Sequence, residues 1–266
     1  MTKTLPKEML PLIDRPSIDF VVEEFIESGI DEILIITSRR KKTLEDYFDR
    51  EVELESIFNA KGDAAKLGMI DPPEAEILFK RQQEMRGTGH ATLQAKAFVG
   101  DEPFVVAYPD DLHFGSPPLA KQLIDVYRET GCSVLATIHD PPNIGEYASL
   151  ALAEDDLHVV DMIEKAPPGQ EPSKEASIGR FLYNEGFIQA LEEGWRRHLR
   201  GERAANEYYH VDGLKKQMED RKVVYCRFTG DRFDTGYPEG FIRAMIRYAS
   251  TRPEYAGVLK EEVSRL

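Results

Sequence analysis

Three short runs limit what this chain can fold into. The stretches DEILIITS, PFVVAYPDD and CSVLATIHD each carry three or more consecutive apolar residues. A strand that is apolar at successive positions has no face to give to water, so it belongs in a sheet covered by helices on both sides. The intervening segments supply such helices. SIDFVVEEFIESG spaces Ile18, Val21, Val22, Phe25 and Ile26 at helical intervals and closes on Gly29, and KKTLEDYFD and LAKQLIDVYRETG follow suit. Helix and strand alternate on short links up to about residue 140, which predicts an α/β fold: a Rossmann-like mixed, mainly parallel sheet flanked by helices.

The pattern changes between residues 147 and 187. ASLALAEDDLHVVDMIEKA reads as strand, turn, strand, PPGQEPSKEAS as a proline-rich polar loop, and IGRFLYN as a further strand. This predicts a small antiparallel lobe at about 147–187 within a single domain spanning 1–266. EGFIQALEEGWRRHLRG and DGLKKQMEDRK are helical, VVYCRFTG is a strand, and GFIRAMIRYAS is a helix before a C-terminal tail. AEILFKR starts a strand at Glu76, and a helix is expected over Ala91 to Phe98. Glu51 to Pro73 is less regular and reads as a helix with an outlying loop.

A length of 266 residues suits one domain with a full core, and 41% apolar with 31% charged residues excludes a disordered chain. No stretch approaches the ~20 apolar residues of a membrane span. The net charge of -14 argues against a nucleic-acid partner, because a phosphate-backbone surface needs a broad basic face. Two cysteines, Cys132 and Cys226, lie in strand-like runs and read as buried thiols of a reducing compartment. With no apolar signal core at the start, a cytoplasmic location is expected.

Polar clusters mark the ends of the expected elements: Lys7 with Glu8, RQQEMRGTGH from Arg81 to His90, Asp110 with Asp111 in PDD, Glu164 with Lys165, and Asp234 in DRFDTG. In open sheets ligands gather at the carboxyl ends of strands, where PDD sits. Separated aspartates and lysines suit a divalent cation with phosphates, since Mg²⁺ takes carboxylate and phosphate oxygens. Each cluster also has a plain structural reading. PDD fits an exposed turn, Asp234 a helix cap or turn former, Lys165 a solvated pair with Glu164, and Gly87 and Gly89 a helix break. The helix around Trp195 reads as surface packing with solvated arginines. His113, His139 and His158 lack zinc-ligand spacing with the cysteines.

Taken together, KTLPKEMLPLIDRPSIDFVVEE, RQQEMRGTGHA, EPFVVAYPDDLHF, IEKAPPGQEPSKEASIGRF and DRFDTGYPEGFIRAMI resemble the bacterial UTP:glucose-1-phosphate uridylyltransferases, of the sugar-nucleotidyltransferase family. The resemblance implies transfer of a uridylyl group from UTP to glucose 1-phosphate, giving UDP-glucose and pyrophosphate with Mg²⁺, and self-association into a homo-oligomer. It implies that Lys7 contacts the nucleotide phosphates, and that Gln83 and Gly89, with His90 beside them, hold the uracil. Asp110 and Asp234 would bind the metal, with Asp111 a neighbour. Glu164 would bind sugar hydroxyls and Lys165 the sugar phosphate, with Gly179 lining the sugar site and Lys7, Asp110, Lys165 and Asp234 forming the catalytic set.

Two positions depart from the family pattern: Ala166 where EKP is usual, and Ala148 after Tyr147 where YG is usual. The family's first strand and glycine-rich, arginine-bearing turn precede the PKEMLP segment, and no counterpart lies upstream of Lys3. A protein of only these residues is therefore expected to turn over little. The second reading is a silent paralogue that binds a nucleotide sugar or a partner enzyme, and a third is a relative using another hexose phosphate.

Overall fold

A computed structural model describes residues 3–202 and 207–265; Met1, Thr2, residues 203–206 of the basic stretch after Trp195, and Leu266 lie outside them. After a single 3-10 turn at Lys7–Met9 come β1 (Pro11–Leu12), β2 (Arg15–Pro16), α1 (Ser17–Glu27), β3 (Glu32–Thr37), α2 (Lys42–Phe48), α3 (Val52–Lys61), α4 (Ala64–Gly68) and β4 (Glu76–Arg81). Next are α5 (Thr88–Leu93), α6 (Lys96–Val99), β5 (Phe104–Ala107), β6 (Asp111–Phe114), α7 (Leu119–Thr130), β7 (Ser133–His139), β8 (Ala148–Leu152), β9 (Val159–Glu164) and β10 (Glu175–Tyr183). The chain continues through α8 (Phe187–Leu199), α9 (Val211–Glu219), β11 (Val223–Arg227), β12 (Asp231–Asp234), α10 (Pro238–Thr251) and α11 (Pro253–Val263). No described helix is long and apolar enough to cross a membrane.

The expected α/β layering is present, as a mixed sheet with parallel and antiparallel segments. β7 pairs in parallel with β11, and β3 with β4. The long strand β10 runs antiparallel to β5, β7 and β8, and β9 pairs antiparallel with β8. The strand, turn, strand read at 147–187 is thus the β8–β9 pair, hydrogen-bonded to the main sheet through β10. Every residue of β10 is buried, as a central strand covered on both faces requires. It begins at Glu175, inside the stretch expected to be loop, because Glu175 finds His139, Thr137 and Arg227 as partners at the sheet end.

The helix expected over 91–98 starts earlier and breaks into α5 and α6, and the region from Glu51 to Pro73 holds the short helices α3 and α4, neither with a buried residue. The C-terminal tail is helical, as α11. β3 and β5 are not bonded to each other. Between them a cavity of about 640 Å³, lined by Ile33, Ile35, Val105 and Ala107, runs to Gln82, Thr88 and Tyr108.

One ion pair crosses this core. Arg180 of β10, fully buried, donates from Nη2 to Glu24 Oε2 of α1 at 2.8 Å and to the Asp111 carbonyl at 3.0 Å. The other Glu24 oxygen accepts from the Ala120 backbone N–H at the start of α7, at 2.9 Å. Among the described residues Arg180 Nε and Nη1 have no hydrogen-bond partner, and Glu24 is the carboxylate that compensates its charge. Removing one member of a buried pair strands the other charge. Glu24→Ala is therefore expected to cost about 3–5 kcal/mol, read as a lowered urea midpoint at unchanged m-value.

Candidate active site

The proline-braced opening segment is built into the core. Pro6 holds an extended conformation before the 3-10 turn that carries Lys7, Glu8 is 2% exposed and pairs with Lys41 at 2.5 Å, and Leu12 is fully buried. The Leu10 carbonyl accepts from both the N–H and the Oγ of Ser17, at 3.1 and 3.2 Å. With Glu8 and Leu12 turned inward, Lys7 is left pointing at the end of β5, where its ammonium pairs with Asp110. Burial alone would lower the Lys7 pKa, but Asp110, Glu8 and Asp234 outweigh it and raise it above the ordinary value.

Asp110 occupies the turn between β5 and β6. Its carbonyl accepts from Thr235 twice, from N–H at 2.7 Å and Oγ1 at 3.0 Å. β6 and β12 pair antiparallel with Asp111 opposite Asp234, so residues remote in sequence reach one place. Gly236 shows how close the two carboxylates come. A Cβ there would lie 2.8 Å from Asp234 Oδ1 and 2.9 Å from Asp110 Oδ2, so both face the same small volume. Burial raises the Asp234 carboxyl above the usual range, with Asp111 and Asp110 adding repulsion and Arg232 opposing. Of the two plain readings of Asp234, the helix cap fails, since the residue ends a strand and α10 begins at Pro238, while the turn former holds, since its Oδ1 accepts from the Gly236 N–H at 2.9 Å.

Asp111 has a different part. Arg232 grips it with two hydrogen bonds, Nε to Oδ1 at 2.7 Å and Nη2 to Oδ2 at 2.8 Å, and the Gly179 N–H donates to Oδ2 at 2.9 Å. A carboxylate with its oxygens so occupied is a brace rather than a ligand. Gly179 has a packing reason of its own, since a Cβ would lie 2.8 Å from the Tyr108 ring.

The loop from Arg86 to His90 is built on a segment from the far end of the chain. Tyr208 N–H donates to the Arg86 carbonyl at 2.8 Å and Gly89 N–H to the Tyr208 carbonyl at 2.9 Å. Gly87, at φ +95°, and Gly89 leave no room for side chains: added Cβ atoms would lie 2.4 and 2.7 Å from that backbone. Gln83 is exposed, whereas Gln82 is half-buried and sits between the Gly87 carbonyl, at 3.3 Å, and His90 Nδ1, at 2.9 Å. His90 packs 5.0 Å from Trp195, and burial, helped by Arg86, lowers its pKa. Trp195 thus packs inward, while the adjacent Arg196 and Arg197 are exposed.

Glu164 ends β9, and Lys165 follows in the left-handed region at φ +49° with its N–H bonded to the Tyr147 carbonyl at 2.9 Å. Both side chains are exposed, and neither is bonded to another described residue. Ala166 is 2% exposed, so the turn is closed without proline. Ala148 pairs in register with Glu164, and its methyl belongs to the apolar cluster of Leu150, Met162 and Phe181. No group of three or more metal-ligating side chains occurs among the described residues, so Asp110 and Asp234 stand as a two-carboxylate site.

An α/β sheet with paired aspartates and a lysine at its strand ends, beside a glycine-rich loop, is the architecture of a nucleotidyl-transferring enzyme. The chain belongs to the nucleotidyl transferase family, whose sequence model matches residues 1–251. Within that family it is similar to the UTP–glucose-1-phosphate uridylyltransferases 1 and 2 of Streptococcus pyogenes serotype M3. It is 39% and 40% identical to them over 275 residues, which span all of this chain and 88% and 90% of theirs. Among solved structures, a UDP-glucose pyrophosphorylase from Acinetobacter baumannii superposes with a TM-score of 0.86 at 27% identity, covering 99% of this chain and 92% of that one. A UDP-glucose pyrophosphorylase complexed with UDP-glucose gives 0.77 at 31%, covering 94% and 92%.

His210 was not expected in the site. Its Nδ1 meets Thr88 Oγ1 at 3.0 Å and the Tyr108 hydroxyl at 3.1 Å, and burial pushes its pKa down to about 4. An unfolded chain protonates this ring near 6.5. Between those values the unfolded state binds more protons, so stability falls as pH drops through the window. The wild type is expected to lose about 2 kcal/mol between pH 7 and pH 5 through this ring, and His210→Gln to remove that loss, measured by urea titration at both values.

Proposed function

We propose that the protein transfers the uridylyl group of UTP to glucose 1-phosphate, releasing pyrophosphate. The observation that carries the reading is the convergence of Asp110 and Asp234 on one volume beside Lys7. The similarity to uridylyltransferases of known substrates supports the choice of nucleotide and sugar.

Asp110 and Asp234 are the residues that would hold Mg²⁺. Two carboxylates match its habit of taking few protein ligands and completing its shell with phosphates and water. When bound, the ion neutralises charge on phosphate oxygens. Lys7 and Lys165 do the corresponding work from the protein side, Lys7 toward the nucleotide phosphates and Lys165 toward the sugar phosphate. A sugar-phosphate oxygen then forms a bond to the α-phosphorus of UTP as the bond to the leaving pyrophosphate oxygen breaks, and no protein nucleophile is needed. Rate comes from alignment and charge neutralisation. Glu164 accepts from sugar hydroxyls. The uracil falls to Gln82, with Gly89 beneath it and His90 holding the amide, because Gln82 turns into the cavity and Gln83 does not. We place the protein in the cytoplasm, where the free thiols Cys132 and Cys226 stay reduced.

Incubation with UTP, glucose 1-phosphate and Mg²⁺ should yield UDP-glucose and pyrophosphate, even if slowly; no product, with a related uridylyltransferase active in parallel, would overturn the assignment. Asp110→Asn and Asp234→Asn should each lower kcat by at least about a hundredfold, several kcal/mol of lost charge stabilisation. Gln82→Ala should weaken UTP binding about tenfold, the worth of one or two hydrogen bonds, with Gln83→Ala near wild type by calorimetry.

A further inference from the structure

The two halves of the site stand on different strand pairs. Asp234 ends β12 and Asp110 immediately precedes β6, its partner, while Glu164 and Lys165 lie at the open end of the β8–β9 pair. Among the described residues, one side-chain bridge joins them. Arg232, two residues before Asp234 and 3.5 Å from it, grips Asp111 through Nε and Nη2, leaving Nη1 to donate to the Tyr147 hydroxyl at 2.8 Å. Its guanidinium also lies 5.3 Å from the Tyr147 ring centre.

Tyr147 is bonded at both of its ends. Its hydroxyl accepts a hydrogen bond from Arg232 Nη1, and its carbonyl accepts from the Lys165 N–H at 2.9 Å. Lys165 needs that hold. A lysine at φ +49° carries backbone strain and persists only where its surroundings over-determine it.

We propose that Tyr147 and Arg232 are positioning residues that couple the seat of Glu164 and Lys165 to the carboxylate pair, so that sugar phosphate and nucleotide are held in one line. The inference rests on reading Glu164 and Lys165 as the sugar-phosphate site. Reaction along one axis requires the two halves to keep their spacing to a fraction of an ångström. β10, which pairs with β8 and gives its Gly179 N–H to Asp111, sets that spacing coarsely, and the Asp111–Arg232–Tyr147 bridge sets it finely.

The test is a double-mutant cycle with Tyr147→Phe and Arg232→Lys, read by calorimetric titration of UDP-glucose and of UTP and by kcat/KM for glucose 1-phosphate. Tyr147→Phe keeps the ring and the carbonyl and removes only the bridge. It should weaken UDP-glucose binding and lower kcat/KM by about three- to tenfold, with UTP binding within about twofold and melting temperature unchanged. In the Arg232→Lys background the same change should add nothing, because the bridge is already broken. A Tyr147→Phe protein indistinguishable from wild type overturns the proposal. So does a full additional loss in the Arg232→Lys background, which would mean that the hydroxyl touches the sugar itself. A wild type that binds UTP but not UDP-glucose would instead overturn the reading of the sugar site, and the coupling with it.

Discussion

The site depends on the pairing of two four-residue strands, β6 and β12, separated by more than a hundred positions in the chain. So short a ladder has little stability alone, and a two-stranded ribbon is marginal in water. It holds because it is tied at the end that carries the site. Thr235 donates twice to the Asp110 carbonyl, and Arg232 clamps Asp111 across the strands. The register Asp111 opposite Asp234 then leaves Asp110 and Asp234 side by side. Placing like charges together is unfavourable, and the raised Asp234 pKa records that alongside its burial. Arg232 near Asp234 and Lys7 on Asp110 offset the repulsion, so the carboxylates stay close.

The layered core was legible because consecutive apolar residues mark strands covered by helices: β3, β5 and β7 each carry such a run, although of the three only β7 is largely buried, β3 and β5 lining the cavity. Asp110 was legible too, since it follows such a run. β12 was not. Its residues, DRFD, hold one apolar side chain among charges, and its partner β6, DLHF, alternates over four residues only, too short a run to mark a strand. What makes them strands is their pairing with each other across more than a hundred positions, which sequence does not display. Arg232 stood two places from a residue already singled out, and a cation so near a candidate metal carboxylate was the available signal.

The loop after β4 shows a subtler limit. Along β4, Ile77 and Phe79 face inward and Leu78 outward, and period-two counting would carry Gln83 inward with them. Arg81 ends that rhythm. Its backbone stays in the strand opposite Thr37, but its exposed side chain reaches Glu45 on α2, at 3.1 Å, and Gln82 rather than Gln83 lines the cavity. The residues that then shape the loop, Tyr208 and His210, are distant in sequence and carry no motif. Their contribution is a backbone surface on which Gly87 and Gly89 lie flush, a contact that only a folded chain reveals.

Glycine is what lets separate elements meet at this site. Gly236 leaves the space into which Asp110 and Asp234 both project, and Gly179 lets β10 lie against the Tyr108 ring while offering its N–H to Asp111. At Gly240 a Cβ would lie 2.0 Å from the Asp234 carbonyl oxygen, so α10 can approach the strand end only because that side chain is missing. Each glycine weakens its own element, by up to about 1 kcal/mol relative to alanine. The cost is local, and it is offset by polar contacts that larger residues would block. The same exchange explains why Lys165, which is not a glycine, is held so firmly. Its φ would suit glycine; on the proposed reading the ammonium is the reason the strain is retained, and the turn is tied to Tyr147.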